Sequence, residues 1–165
     1  MRQALSFDDV LLVPNFSEVG TRRDIKIKQK LRAVGEFSLP IISSPMDTVT
    51  GEPMAIAMGQ EGGIGVVHRY NTIEEQAKTV MNITSAGQNV GAAIGVGEDC
   101  VERALALARS GASFLCIDVA HGHHSNVRYA LETLRNTIGY EMHIMAGNVA
   151  PLQAFNDLAD WGADS

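Results

Sequence analysis

A chain of 165 residues, 45% apolar and 19% charged, is long enough for one domain with a core and too apolar for a disordered segment. Its net charge of −6 excludes a nucleic-acid binder that displaces counterions with a basic face, although backbone N–H groups and helix N-termini can still hold a nucleotide phosphate. Two cysteines, Cys100 and Cys116, make no disulfide framework, and no run approaches the roughly 18 apolar residues of a membrane span.

Residues 1–39 read as an irregular N-terminal segment: a short apolar piece, Val10–Val13, then Pro14 and a mixed charged stretch through Lys30. No signal peptide is visible there, so the expected location is cytoplasmic. From residue 40 to 165 the texture is that of one repeating domain. A strand candidate at Pro40–Ser44 precedes a helical pattern at Glu52–Gln60. Ile64–Val67 precedes Ile73–Ile83, with Thr72 and Glu75 spaced as a capping box. Val90–Val96 precedes Cys100–Ser110, with Gly111 placed to end the helix. Phe114–Asp118 precedes Asn126–Thr137, for which Ser125 is the expected cap. His143–Ala146 precedes Leu152–Trp161, closed by Gly162, and Ala163–Ser165 reads as the lead-in to a further strand.

The strands are almost continuously apolar, as expected when both faces are covered, and they recur about every 25 residues, the length of one βα unit. An open doubly wound sheet would place a glycine-rich phosphate loop after its first strand. Here that strand runs instead into Ser43-Ser44-Pro45-Met46-Asp47. The expected fold is therefore α/β, a TIM (β/α)8 barrel of which this chain holds the first five units. A full barrel takes about 250 residues. An open five-stranded sheet is the alternative.

In a barrel, functional side chains gather at the C-terminal ends of the strands. All five ends here carry polar residues, including Met46, Asp47 and Thr48, His68 and Arg69, Glu98 and Asp99, Asp118 and His121, and Asn148. An acid closing a buried strand, as Asp118 does, can accept two ribose hydroxyls or can simply cap the following turn. His121, His123 and His124 look like a metal cluster, but neighbouring histidines project in different directions, and no metal site is expected. Cys116 reads as core. Cys100 lies in the first turn of a helix, where the dipole can lower a thiol pKa, but it has no flanking His or Lys.

Five blocks together carry a resemblance. Leu5–Pro14 (LSFDDVLLVP), Pro40–Thr50 (PIISSPMDTVT), Gly62–Arg69 (GGIGVVHR), Ile117–His123 (IDVAHGH) and Ala146–Val149 (AGNV) resemble, in order and at barrel-like spacing, the IMP dehydrogenase/GMP reductase family. The resemblance covers almost the whole chain. It implies an NAD(P)-dependent oxidoreductase acting on a purine nucleotide. Ser44 and Met46 would lie against the nucleotide, with Asp47 holding their loop, and Asn148 would face the reacting purine and cofactor. Asp118 would bind the nicotinamide ribose, with His68, Val119 and Ala120 on the cofactor side.

The family's nucleophilic cysteine, which attacks C2 of the purine before hydride passes to NAD, would lie beyond Ser165, so no catalytic residue is expected in this chain. The resemblance also implies a homotetramer when full length, no nucleic-acid or membrane partner, and a potassium ion in the dehydrogenases whose site falls outside this chain. Many dehydrogenases of the family carry a pair of CBS modules between the second and third strands, where this chain has only Asn71–Asn89. GMP reductases lack that insertion too, as do some minimal IMP dehydrogenases, and GMP reductases often have a β-branched apolar residue where this chain has Val119. The SSPM and GGIGVVHR runs and the opening segment point toward IMP dehydrogenase, making XMP for guanine nucleotide synthesis with NAD. GMP reductase, using NADPH to convert GMP to IMP, is the alternative. A truncated chain that is inactive and binds nothing is the third reading.

Overall fold

Short apolar runs alternating with amphipathic ones leave each strand buried on both faces, with a helix returning the chain to the same end of the sheet. The computed structural model describes residues 5–165. After single 3-10 turns at Phe7–Asp9 and Arg22–Asp24, strands β1 (Gln29–Leu31) and β2 (Gly35–Phe37) form an antiparallel hairpin. The five strands that follow are β3 (Ile42–Ser43), β4 (Ile64–Val67), β5 (Val90–Ile94), β6 (Phe114–Asp118) and β7 (His143–Gly147). The alternating helices are α1 (Glu52–Gln60), α2 (Ile73–Ser85), α3 (Cys100–Arg109), α4 (Ser125–Ile138) and α5 (Leu152–Asp160).

The sheet is wholly parallel, and its spatial order is its sequence order, β3-β4-β5-β6-β7. A doubly wound sheet reverses direction at a switch point; this one never does, and it curls as the N-terminal part of a TIM barrel. Register divides the side chains. Val90, Ala92, Ile94, Leu115, Ile117 and Ile144 face the helices and pack with Val80, Leu107 and Leu131. Val66, Ala93, Phe114 and Cys116 face the barrel interior. Across the interior Val66, Gly91, Phe114 and His143 share one row, and Ala93, Cys116 and Met145 share the row above. Phe114 fills the space over Gly91, where an added Cβ would come within 2.3 Å of its ring.

The stretch read as irregular contains the hairpin, and the hairpin has a structural task. Phe37 is buried in the interior cluster, with Leu31 and Val34 packed beside it, so the hairpin closes the N-terminal end of the half-barrel. Polar contacts hold it there. The His143 Nδ1 meets the Arg32 carbonyl at 2.9 Å; a carbonyl only accepts, so Nδ1 carries the proton and Nε2 of the neutral ring accepts from the Ser165 hydroxyl at 2.8 Å. Arg32 also pairs with Asp164, which Arg135 reaches at 2.6 Å. Asp164 N–H donates to the Ile144 carbonyl and the Ala146 N–H to that of Ser165, so residues 164–165 lie alongside β7 as the lead-in reading expects.

The helix ends follow local chemistry. Thr72 and Glu75 form the capping box, with hydrogen bonds of 3.2 and 3.0 Å. Gly111 and Gly162 have φ of 94° and 111°, the left-handed conformation that ends a helix cheaply only in glycine. The expected cap of α4 is corrected: His124, not Ser125, precedes the helix, and its Nδ1 accepts the Asn126 N–H at 3.0 Å.

Candidate active site

Because all five strands run the same way, their C-terminal ends share one rim, and the loops leaving it are pinned to one another. The loop after β3 turns back on itself, with Met46 N–H on the Ser44 carbonyl and Thr50 N–H on that of Met46. Thr50, fully buried, staples it: its hydroxyl donates to the Ser44 carbonyl at 2.5 Å and pairs with the Ser43 hydroxyl at 2.9 Å. The loops after β6 and β7 zip together. Val119 N–H donates to Gly147, Asn148 N–H to Val119, and Gly122 N–H to Asn148, at 3.1, 2.8 and 2.8 Å. Gly122 lies so close that a Cβ there would stand 2.9 Å from the Asn148 carbonyl oxygen.

These loops enclose a cleft of about 370 Å³ at the mouth of the half-barrel. Ser43–Met46 form one wall, and Asp118 and Asn148 form the other. Val66, Cys116 and Met145 make the floor. The floor is apolar, and the polar groups stand around it, a form suited to a flat ring edged with hydrogen-bonding atoms. Neither cysteine is activated. Burial, helped by the charge of Asp118, pushes the Cys116 thiol up to about 12, and burial with Asp99 pushes Cys100 up to about 11. The helix dipole at Cys100 is outweighed by desolvation.

A family model for the IMP dehydrogenase/GMP reductase domain matches residues 4–165. The chain belongs to that family. An inosine-5′-monophosphate dehydrogenase of Cryptosporidium parvum is 31% identical over 98% of this chain and 50% of its own length. A GMP reductase of Mesoplasma florum is 29% identical over 98% of this chain, again with half its own length covered. An inosine-5′-monophosphate dehydrogenase of Halalkalibacterium halodurans reaches 46% identity over 89 residues, 54% of this chain and 18% of the relative. The chain thus spans about half the length of the curated relatives that match it throughout. Family members are oxidoreductases acting on purine nucleotides. The alignment with the Cryptosporidium enzyme extends over 205 positions, so that relative has residues this chain lacks, whereas the one with the GMP reductase extends over 168.

The structure brings Ser44, Met46, Asp118 and Asn148 together around one cleft. His68 stands at the end of β4 outside the cleft wall, its Nδ1 accepting the Tyr70 N–H at 3.2 Å and its ring stacked on Tyr70. Val119 turns away and packs against the helix-side core, while Ala120 is exposed on the loop. The three loop histidines are dispersed: His123 meets Asp157 at 2.8 Å and stacks on Trp161, His124 caps α4, and His121 is exposed. Two features escape a reading of the sequence. Thr50 ends the SSPMDTVT run and shows its role only through burial. The approach of Gly122 to Asn148 joins residues from separate units.

Proposed function

We propose that this chain supplies the nucleotide- and cofactor-facing rim of an NAD-dependent IMP dehydrogenase, which oxidises IMP to XMP in guanine nucleotide synthesis. The observation that supports it is the common cleft: Ser44 and Met46 on one wall, Asp118 and Asn148 on the other, over an apolar floor. In this reading the purine lies across Met46, with Ser44 and Asn148 at its polar edge. Asp118 accepts the hydroxyls of the nicotinamide ribose, as an acid at a strand end does in other dinucleotide sites. His68 and Ala120 border the cofactor from neighbouring loops, and Val119 acts by packing that loop against the core. Bound NAD supplies the hydride acceptor. The covalent step requires a thiolate that neither Cys100 nor Cys116 offers, and both it and the potassium ion belong to sequence outside this chain. The whole protein is read as a cytoplasmic homotetramer.

GMP reductase is the second reading. Val119 favours it and the single helix α2 between β4 and β5 is compatible with it, whereas the SSPM and GGIGVVHR runs favour the dehydrogenase. Isotope-labelled chain can be titrated with IMP, NAD, GMP and NADPH while the Met46 methyl and Asn148 amide signals are followed. Shifts with IMP and NAD that exceed those with GMP and NADPH support the dehydrogenase. The opposite ranking supports the reductase, and signals unmoved by all four ligands support the third reading, a chain that binds nothing by itself.

A further inference from the structure

Among the described residues the buried polar side chains are Thr50, Gln76, Arg103, Arg135 and His143. Thr50 staples the β3 loop, and Arg135 and His143 hold the hairpin and residues 164–165 at the N-terminal end of the sheet. Gln76 and Arg103 do neither. They meet in the seam between α2 and α3, where Arg103 Nη1 donates to Gln76 Oε1 at 2.8 Å. Arg103 Nε donates to Asp99, at the start of the same helix, at 2.8 Å, and Nη1 and Nη2 reach the Asn71 carbonyl at 3.3 Å. Gln76 Nε2 donates to the Ala93 carbonyl at 2.8 Å and stands 3.5 Å from that of Val67.

The places these bonds reach explain the network. Pairing of β4 with β5 stops at Val67 and Ala92, and the Gln76 amide takes the carbonyls at and just past that point. A carbonyl only accepts and a guanidinium only donates, so both ends of the amide are assigned and its orientation is fixed. Beyond Val67 the chain enters the rim segment His68–Asn71, which does little to hold itself. Arg69 Nε and Asn71 Oδ1 are buried without hydrogen-bond partners among the described residues. Within the segment the Tyr70 N–H meets His68 Nδ1 at 3.2 Å. Its two ends are fixed from outside, by the His68 N–H on the Thr50 carbonyl at 3.4 Å and by Arg103 on the Asn71 carbonyl. A buried cation costs more to desolvate than apolar side chains filling the same seam, which often pack as stably or better. Apolar side chains could not hold a carbonyl in place.

We propose that Arg103, with Gln76, is a positioning residue that sets the His68–Asn71 segment against the cleft and so governs cofactor affinity without touching the ligand. The placement of the segment stands on the hydrogen bonds alone. The link to the cofactor rests on the function proposed above, in which His68 borders NAD.

Two measurements separate placement from plain stability. In nitrogen-15-labelled chain without denaturant, Arg103→Met and Gln76→Met should each move the Tyr70 N–H and His68 ring signals while the Asn148 N–H stays in place. The urea midpoint reads stability separately. Gln76→Glu keeps an acceptor for Arg103 but loses the donor to Ala93; it should move the same signals, so the comparison survives if a methionine variant fails to fold. Arg103→Lys keeps the charge without the planar fork and should give a smaller displacement. In the full-length enzyme these variants should raise the KM for NAD about ten- to a hundredfold, the scale on which a slightly misplaced contact is felt, with kcat and the KM for IMP unchanged. Tyr70 and His68 signals that stay put while the midpoint falls overturn the proposal, since the network then only stabilises. A displaced segment with the KM for NAD unchanged, or with both KM values raised together, overturns it too while sparing the proposed function. A wild-type enzyme that works on GMP with NADPH removes that function instead, and the same split read on NADPH then supports the positioning role.

Discussion

Gly122→Ala tests whether the rim is held together by close backbone approach. The methyl would sit 2.9 Å from the Asn148 oxygen, 3.1 Å from the Gly147 carbonyl carbon and 3.1 Å from Val149 Cγ1. Ordinary contacts begin near 3.4 Å, and two of the three neighbours are backbone atoms that cannot rotate away. The β6 and β7 loops must therefore part, which breaks the 2.8 Å Gly122 N–H to Asn148 bond. That bond contributes about 0.5–1.5 kcal/mol, and overpacking of this kind costs about 1–3 kcal/mol. Reduced freedom of the unfolded chain returns about 0.4–1 kcal/mol. The net loss should be about 0.5–4 kcal/mol, read as a lower urea midpoint at unchanged slope. The Asn148 N–H resonance should move with it, because the displaced loop carries that residue. A midpoint equivalent to wild type within about 0.5 kcal/mol, with the Asn148 signal in place, would refute the reasoning.

Three further outcomes follow from the same geometry. In a full-length version, Asp118→Asn keeps shape but loses a charged acceptor, a change of about 1.5–3 kcal/mol; NAD affinity should fall about ten- to a hundredfold while IMP affinity holds, and an unchanged NAD titration contradicts the ribose assignment. With thiols raised to about 11 and about 12, Cys100 and Cys116 carry at pH 7 a thiolate fraction on the order of 10⁻⁴ or below. The chain by itself should then turn over neither IMP with NAD nor GMP with NADPH and should react slowly with a disulfide reagent, faster as pH rises; turnover abolished by changing either cysteine would locate the nucleophile here. Burial lowers the His143 pKa below 6.5 despite the nearby charge of Asp164, so the folded chain favours the neutral ring. That stabilisation is complete above the unfolded value and is lost as pH falls through the lower folded one. The urea midpoint should drop on acidification below about pH 6.5, and His143→Gln should flatten that slope; an equal slope in the variant removes His143 as its cause.

How much of this the sequence discloses depends on whether a feature is local. Ile64–Val67, Phe114–Asp118 and Glu52–Gln60 match their sequence-derived bounds because burial on both faces and helical period are written along one stretch of chain. The hairpin over 29–37 is invisible at that level: three-residue strands carry no readable period, and β1 is mostly exposed. Its reason for existing, Phe37 in the mouth of the opposite end, depends on Val66, Ala93 and Phe114 from three separate units. The site divides along the same line. Ser44, Met46, Asp118 and Asn148 can be picked out because each lies at or just past a strand end, and parallel strands end on one rim. What each touches cannot, since it depends on the register between strands. Thus His123 reads as one of a metal-like trio until Asp157, 34 residues on, appears beside it. Arg69 reads as one more polar strand end until Gly95, on another strand, is found bare beneath it. The unpaired Nε of that arginine matters for the same reason: the fold has filled the spaces over Gly91 and around Arg103 and Arg135 with partners from the chain itself. At Arg69 the buried Nε is left without a partner from the described residues.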